Sequence, residues 1–124
     1  MNQLLLPYKD PLITAQDMSA SFNGTAIDVQ YKDNIGCQLV WTGSNPTGTI
    51  TFQVSLDYSA NTQVGTWTTI QLTAGTNVQL TPGGTAGNGY ADFNQLSAPW
   101  FRVVYTTASG SVGNLTATIG AKGV

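Results

Sequence analysis

Thr49-Ile50-Thr51-Phe52-Gln53-Val54-Ser55-Leu56 is the stretch that decides the fold. Ile50, Phe52, Val54 and Leu56 fall on one side of an extended backbone. Thr51, Gln53 and Ser55 fall on the other. A period of two marks a strand with one face in a core and the other in water. The same pattern continues in both directions. Upstream, Ile35, Cys37, Leu39 and Trp41 share a face, and before them Ile27, Val29 and Tyr31 alternate with Asp28 and Gln30. Downstream, residues 67–72 read as a strand in which Trp67 is out of phase with Ile70 and Leu72, which predicts a bulge or a switch of face. Val78 and Leu80 make a short strand. Residues 100–106 are apolar on both faces, as a central strand is. Leu115, Ala117 and Ile119 close the series.

Turn residues separate these runs at 42–48, 59–65 and 109–113, and the glycine-rich stretch 82–89 reads as a mobile surface loop. Helix formers are scarce, and residues 13–20 alone admit a helical turn or two. Roughly eight short strands at this spacing predict an all-β chain, an antiparallel β-sandwich of jelly-roll or immunoglobulin-like type. The sequence leaves the strand order open. The sandwich is expected over residues 18–124. Residues 1–17 form an extended N-terminal arm, because Pro7 and Pro11 favour an extended course. Leu4, Leu5, Leu6, Tyr8, Leu12 and Ile13 on this arm need cover. They either pack back on the parent sandwich or reach a neighbouring subunit.

Composition narrows the chemistry. The 124 residues contain no histidine and no glutamate, six aspartates, four basic residues and 18 threonines, with 8% charged and a net charge of −2. Lys9, Lys32, Arg102 and Lys122 are scattered, so no nucleic-acid partner is expected. No apolar run approaches the ~20 residues of a membrane-spanning helix, so no membrane partner is expected. One cysteine forms no internal disulfide. Leu4-Leu5-Leu6, cut by Pro7, is too short for a signal segment, and a cytosolic product is the expectation.

Acid–base catalysis would have to use Asp10, Asp17, Asp28, Asp33, Asp57 and Asp92, most of which sit in turns or at strand ends where aspartate caps backbone groups. Cys37 shares the inward stripe with Ile35 and Leu39, with no histidine to activate it. The donor set suits neither zinc nor a phosphate loop. The sequence therefore predicts no enzyme, no cofactor and no metal. The aromatic residues offer more. Trp41, Trp67 and Trp100, with Tyr58 and Tyr90, suit a sugar-stacking platform; on the other reading Trp41 belongs to the core stripe and Trp67 and Trp100 cover the sandwich or an interface.

Val54-Ser55-Leu56-Asp57-Tyr58, Gly65-Thr66-Trp67-Thr68-Thr69, Leu96-Ser97-Ala98-Pro99-Trp100-Phe101-Arg102-Val103-Val104-Tyr105, Gly113-Asn114-Leu115-Thr116-Ala117 and Ala121-Lys122-Gly123 together resemble small virion structural proteins of tailed bacteriophages. The resemblance covers about residues 27–123. It implies a sandwich carried on a phage particle, as capsid decoration or cement proteins are, with related sandwiches in tails and baseplates. The expected role is a non-enzymatic decoration protein on the capsid exterior. Its expected partners are the major capsid protein or other virion proteins and further copies of itself, as a dimer or trimer. Leu4, Leu5, Leu6, Tyr8, Leu12, Ile13, Trp67 and Trp100 are the interface candidates. The alternative is a carbohydrate-binding module of a tail or baseplate.

Overall fold

The structure is a computed structural model that describes residues 4–7, 12–30, 32, 34–94 and 97–123. Thirteen strands run in chain order: Leu4–Pro7 (β1), Ile13–Asp17 (β2), Phe22–Asn23 (β3), Ile27–Asp28 (β4), Asn34–Asn45 (β5), Thr49–Ser55 (β6), Thr68–Thr69 (β7), Gln71–Thr73 (β8), Thr76–Asn77 (β9), Gln79–Leu80 (β10), Gly87–Asn94 (β11), Trp100–Thr106 (β12) and Val112–Gly123 (β13). Five of these, β3, β4, β7, β9 and β10, are only two residues long. One sheet has the order β1-β13-β5-β11, with β2 also on β13. The second has the order β10-β6-β12-β3, with β7 also on β6 and β4 on β12. β8 and β9 form a small hairpin apart from both, and the pairings throughout are antiparallel. The chain is an all-β antiparallel sandwich.

Alternation supplies the core from both layers. The first sheet turns Ile35, Cys37, Leu39 and Trp41 inward from β5, with Leu115, Ala117, Ile119 and Ala121 from β13 and Ala91 and Phe93 from β11. The second turns in Ile50 and Phe52 from β6 and Phe101, Val103 and Tyr105 from β12. Phe52 meets Phe93 edge-on at 5.2 Å and Phe101 at 6.2 Å, so three rings join the two layers. At one end of the sandwich the buried Tyr105 hydroxyl gathers the chain. It lies 2.9 Å from the Met18 carbonyl and 3.0 Å from Ser111 Oγ, and it also bonds the Thr47 carbonyl. Ser111 Oγ gives the Thr47 carbonyl a second donor at 2.9 Å, and Thr107 Oγ1 does the same for the Met18 carbonyl at 2.7 Å.

Four sequence expectations change. β6 keeps its inward stripe through Ile50, Phe52 and a half-buried Val54, but Ser55 on the other side is covered and Leu56 is 77% exposed. The strand ends there because the Ser55 hydroxyl, covered on the outer face beside Trp100, donates to Asp57 Oδ1 at 2.9 Å, which starts a turn. Residues 13–20 form strand β2 and a turn rather than a helical turn. An isolated helical turn fixes many dihedrals for one hydrogen bond, whereas β13 offers a ready ladder. Residues 67–72 split between two sheets, with Ile70 donating its N–H to the Phe52 carbonyl at 2.8 Å between them. The 82–89 loop is shorter than expected because Gly87 and Gly89 already belong to β11.

Candidate functional site

Any hydrolytic chemistry would rest on the acidic residues. Asp17 Oδ1 accepts from the Ser19 N–H at 2.9 Å, and Asp28 Oδ1 accepts from the Gln30 N–H at 2.9 Å. Asp57 Oδ1 accepts from the Thr66 N–H at 2.7 Å and from Ser55 Oγ. The Thr66 and Ser55 bonds hold the Asp57 carboxyl below the usual carboxylate range, and the Ser19 backbone and side-chain bonds do the same for Asp17. These are local turn and loop caps. Asp92 lies exposed within β11, and Asp10 and Asp33 lie outside the described residues. Among the described residues no three His, Cys, Asp or Glu side chains gather as metal ligands. Cys37 is fully buried, and burial pushes its thiol up to about 12.

The aromatic residues do gather. Tyr58 lies 5.3 Å from Trp67 and 4.9 Å from Trp100, centroid to centroid. The Arg102 guanidinium lies over the Trp67 ring at 4.3 Å, and its Nε donates to Gln53 Oε1 at 2.8 Å. Gln53 in turn donates to Thr69 Oγ1 at 3.3 Å. Partial burial lowers the Arg102 pKa, with Tyr58 opposing, and a guanidinium stays charged regardless. Register explains the assembly. Trp100 pairs with Ser55, Arg102 with Gln53, and Gln53 with Thr69, so the outward side chains of β12, β6 and β7 stand in rows. The rings meet tilted or edge-on, and Arg102 covers one face of Trp67. The cluster therefore pins the excursion between β6 and β7 onto the sheet. Beside it is a hollow of about 560 Å³ lined by Val54, Leu56, Asp57, Thr66, Thr68 and Ala98 among others. Trp41, by contrast, is a core residue, and Tyr90 stands 63% exposed on the other sheet.

The second surface is the outer face of the five-stranded sheet. Thr118, Gln38 and Tyr90 stand in one row, and Thr116, Val40 and Asn88 in the next. Asn114 and Thr42 follow. Across 36–42 and 114–120, β5 and β13 present no ionisable side chain on this face among the described residues. Sequence reasoning found the neutral character but missed that β5 and β13 concentrate it on one flat face. The signal was the alternate residues of the strands whose inward stripes were already read.

The arm residues are distributed differently from the interface candidates they were expected to be. Leu12 and Ile13 are 6% and 4% exposed and belong to the sandwich's own core, so they are not offered outward. Leu4, Leu5 and Leu6 lie on β1, whose backbone pairs with Gly123, Lys122 and Ala121 of β13. Tyr8 lies outside the described residues. Removing residues 1–13 would therefore strip two side chains from the core as well as the arm.

No family model matches the chain, and no curated protein matches it. Among solved structures it shares a β-sandwich fold across almost its whole length. One such structure is the SPBc2 prophage-derived protein YomS, 13% identical with a TM-score of 0.54, covering 98% of this chain and 93% of that one. Fainter likenesses include the VP2 subviral particle of infectious bursal disease virus, at 10% identity and TM-score 0.46, where 98% of this chain matches 32% of that one. Another is chitosan-binding module 1 from a chitosanase/glucanase of Paenibacillus sp. IK-5, at 14% identity and TM-score 0.44, covering 96% and 95%.

Proposed function

We propose that this chain is a non-enzymatic structural protein of a bacteriophage particle, a capsid decoration protein that docks on the outer head shell and stabilises it. The observation that carries this reading is the uncharged outer face of β5 and β13 across 36–42 and 114–120. Soluble surfaces ordinarily mix charges of both signs, and low self-repulsion favours association. Here the exposed rows are threonine, glutamine, asparagine, valine and tyrosine. Such a face loses little solvation of charge on burial, and its hydroxyls and amides can pair with a partner's backbone. Likeness of fold to a prophage-derived protein is compatible with this setting. β13, β5 and β11 at ~4.8 Å spacing and seven residues at ~3.3 Å give a face of roughly 15 Å by 23 Å, with Asp92 at one corner. That is about half the ~800 Å² each partner gives to a standard interface, so single copies bind weakly and gain from repetition on a lattice.

The test is co-sedimentation of the purified chain with heads that lack it. The double variant Gln38→Lys/Thr118→Lys places two charges side by side on neighbouring strands of the face. It should weaken association about tenfold or more, because a buried unpaired charge is costly, while lowering stability by no more than about 1 kcal/mol, the cost of like charges opposite one another on exposed strands. Undiminished binding of that variant would remove the face from the interface. Failure of the unaltered chain to bind heads would remove the decoration role itself.

The gathering of Tyr58, Trp67 and Trp100 supports a second reading, a carbohydrate-binding module of a tail or baseplate. A sugar stacks on an open ring face, and these rings largely face one another. Saturable binding of bacterial surface polysaccharide, lost in Trp100→Ala, would favour it over the first.

A further inference from the structure

The edges of the two sheets are unequal. The six-stranded sheet is bounded on one side by β10 and β7 and on the other by β3 and β4, each two residues long. The five-stranded sheet is bounded on one side by β1, which ends on Pro7, and by β2. β2 carries a register shift opposite Leu115/Ala117 and has Ala15 at φ 42°. Short strands, prolines and bulges are the devices that keep edges from pairing with other chains. β11 has none of these. It runs eight residues, Gly87–Asn94, in unbroken register with β5, and among the described residues no strand lies on its other side. Alternate N–H and C=O groups of such a strand point away from the sheet and are free to pair.

The sequence of this edge is close to self-complementary. Around Tyr90 stand Gly89 and Ala91, then Asn88 and Asp92. A twofold axis through Tyr90, perpendicular to the sheet, sets β11 antiparallel to its own copy and keeps the outer faces on the same side. The pairs are then Tyr90 with Tyr90, Gly89 with Ala91, Asn88 with Asp92 and Gly87 with Phe93. Each carboxylate meets an amide that donates to it, and the two Asp92 side chains stay apart. The inward positions next to the axis carry only glycine and alanine, so the new seam adds no bulk to the cores. A twofold placed instead at Asp92 would set the two carboxylates face to face, which cross-strand pairing disfavours.

We infer that two copies of this chain associate edge to edge through β11, in the register centred on Tyr90, to make one continuous ten-stranded sheet. The occupant of the edge is a second copy rather than a foreign strand, because the alternation of Asn88 and Asp92 answers itself. The inference rests on the sheet edge alone and not on shell docking. It also bears on that docking: the outer faces of the two copies become one of about twice the area, with the Asn88–Asp92 pairs along its centre.

The test uses the full chain and sedimentation equilibrium up to sub-millimolar concentration. A monomer–dimer equilibrium is expected. Asn88→Asp sets a second carboxylate against Asp92 at two symmetric places and should raise the dissociation constant about tenfold. The exchange Asn88→Asp/Asp92→Asn restores one carboxylate and one amide at each place and should return it to the starting value. Both positions are exposed, so the melting temperature serves as the control for folding. A monomer at every concentration overturns the inference, as does a trimer. A dimer indifferent to Asn88→Asp, or one that the exchange fails to rescue, overturns the register. Head binding is measured separately, so loss of one result leaves the other legible.

Discussion

Replacing Phe52 with alanine is expected to lower the unfolding free energy by about 3–5 kcal/mol. Phe52 is fully buried and touches Phe93 of the opposite sheet as well as Phe101 beside it. Truncation removes the transfer energy of a whole ring and leaves a cavity whose walls lie on two different sheets. Those walls close only if the layers approach, which their other inward side chains resist. A domain of this size holds about 5–15 kcal/mol in all, so the loss is a large fraction. Urea denaturation should show a lower midpoint with unchanged slope. Phe52→Leu, which fills most of the space, should cost about 1–2 kcal/mol. Equal costs for the two variants would mean that the site collapses freely and that the ring trio does not hold the layers together.

The second large effect is expected at Gly48. Its φ is 120°, and an added Cβ would lie 2.5 Å from the Thr106 carbonyl oxygen and 2.7 Å from the Tyr105 hydroxyl. Gly48→Ala therefore combines an unfavourable backbone region with displacement of the residue that ties Met18, Thr47 and Ser111 together. We expect a loss of about 2–4 kcal/mol, strain and overpacking together. Gly75→Ala is the control. It also sits at positive φ, 87°, but meets nothing within 4 Å, so it should show the strain alone, about 1–2 kcal/mol. If thermal melts place the two variants together, crowding at Tyr105 contributes nothing.

Much of the sandwich was legible because alternation is strict where both neighbours of a strand are present. Ile35, Cys37, Leu39 and Trp41 on β5 read correctly as a buried stripe, and so did Leu115, Ala117 and Ile119 on β13. Both strands are central, and a one-residue slip would expose every one of these side chains. β11 was missed for the opposite reason. Gly87 and Gly89 suggested a flexible loop, whereas here they mark close approach. A Cβ on Gly87 would lie 3.1 Å from the Trp41 indole, and one on Gly89 would lie 2.8 Å from a Leu80 methyl. Glycine in a strand carries no sign of which role it plays. Leu56 was misplaced because the alternation continues past the point where Ser55 and Asp57 turn the chain. Trp67 and Trp100 were singled out from sequence, but their meeting through Tyr58 depends on the β6–β12 register, which no local pattern encodes.

The burial of Cys37 has a consequence for chemical labelling. The residue sits at the middle of the five-stranded sheet with no exposed surface, and burial pushes its thiol up to about 12. The thiolate is the reactive form, so an alkylating reagent must wait until the two sheets part over β5. When reclosing outruns labelling, the modification rate follows the population of the open form. The chain thus carries a single built-in clock for its own breathing. Were the chain docked as proposed above, that clock would slow by the factor by which docking disfavours the open form.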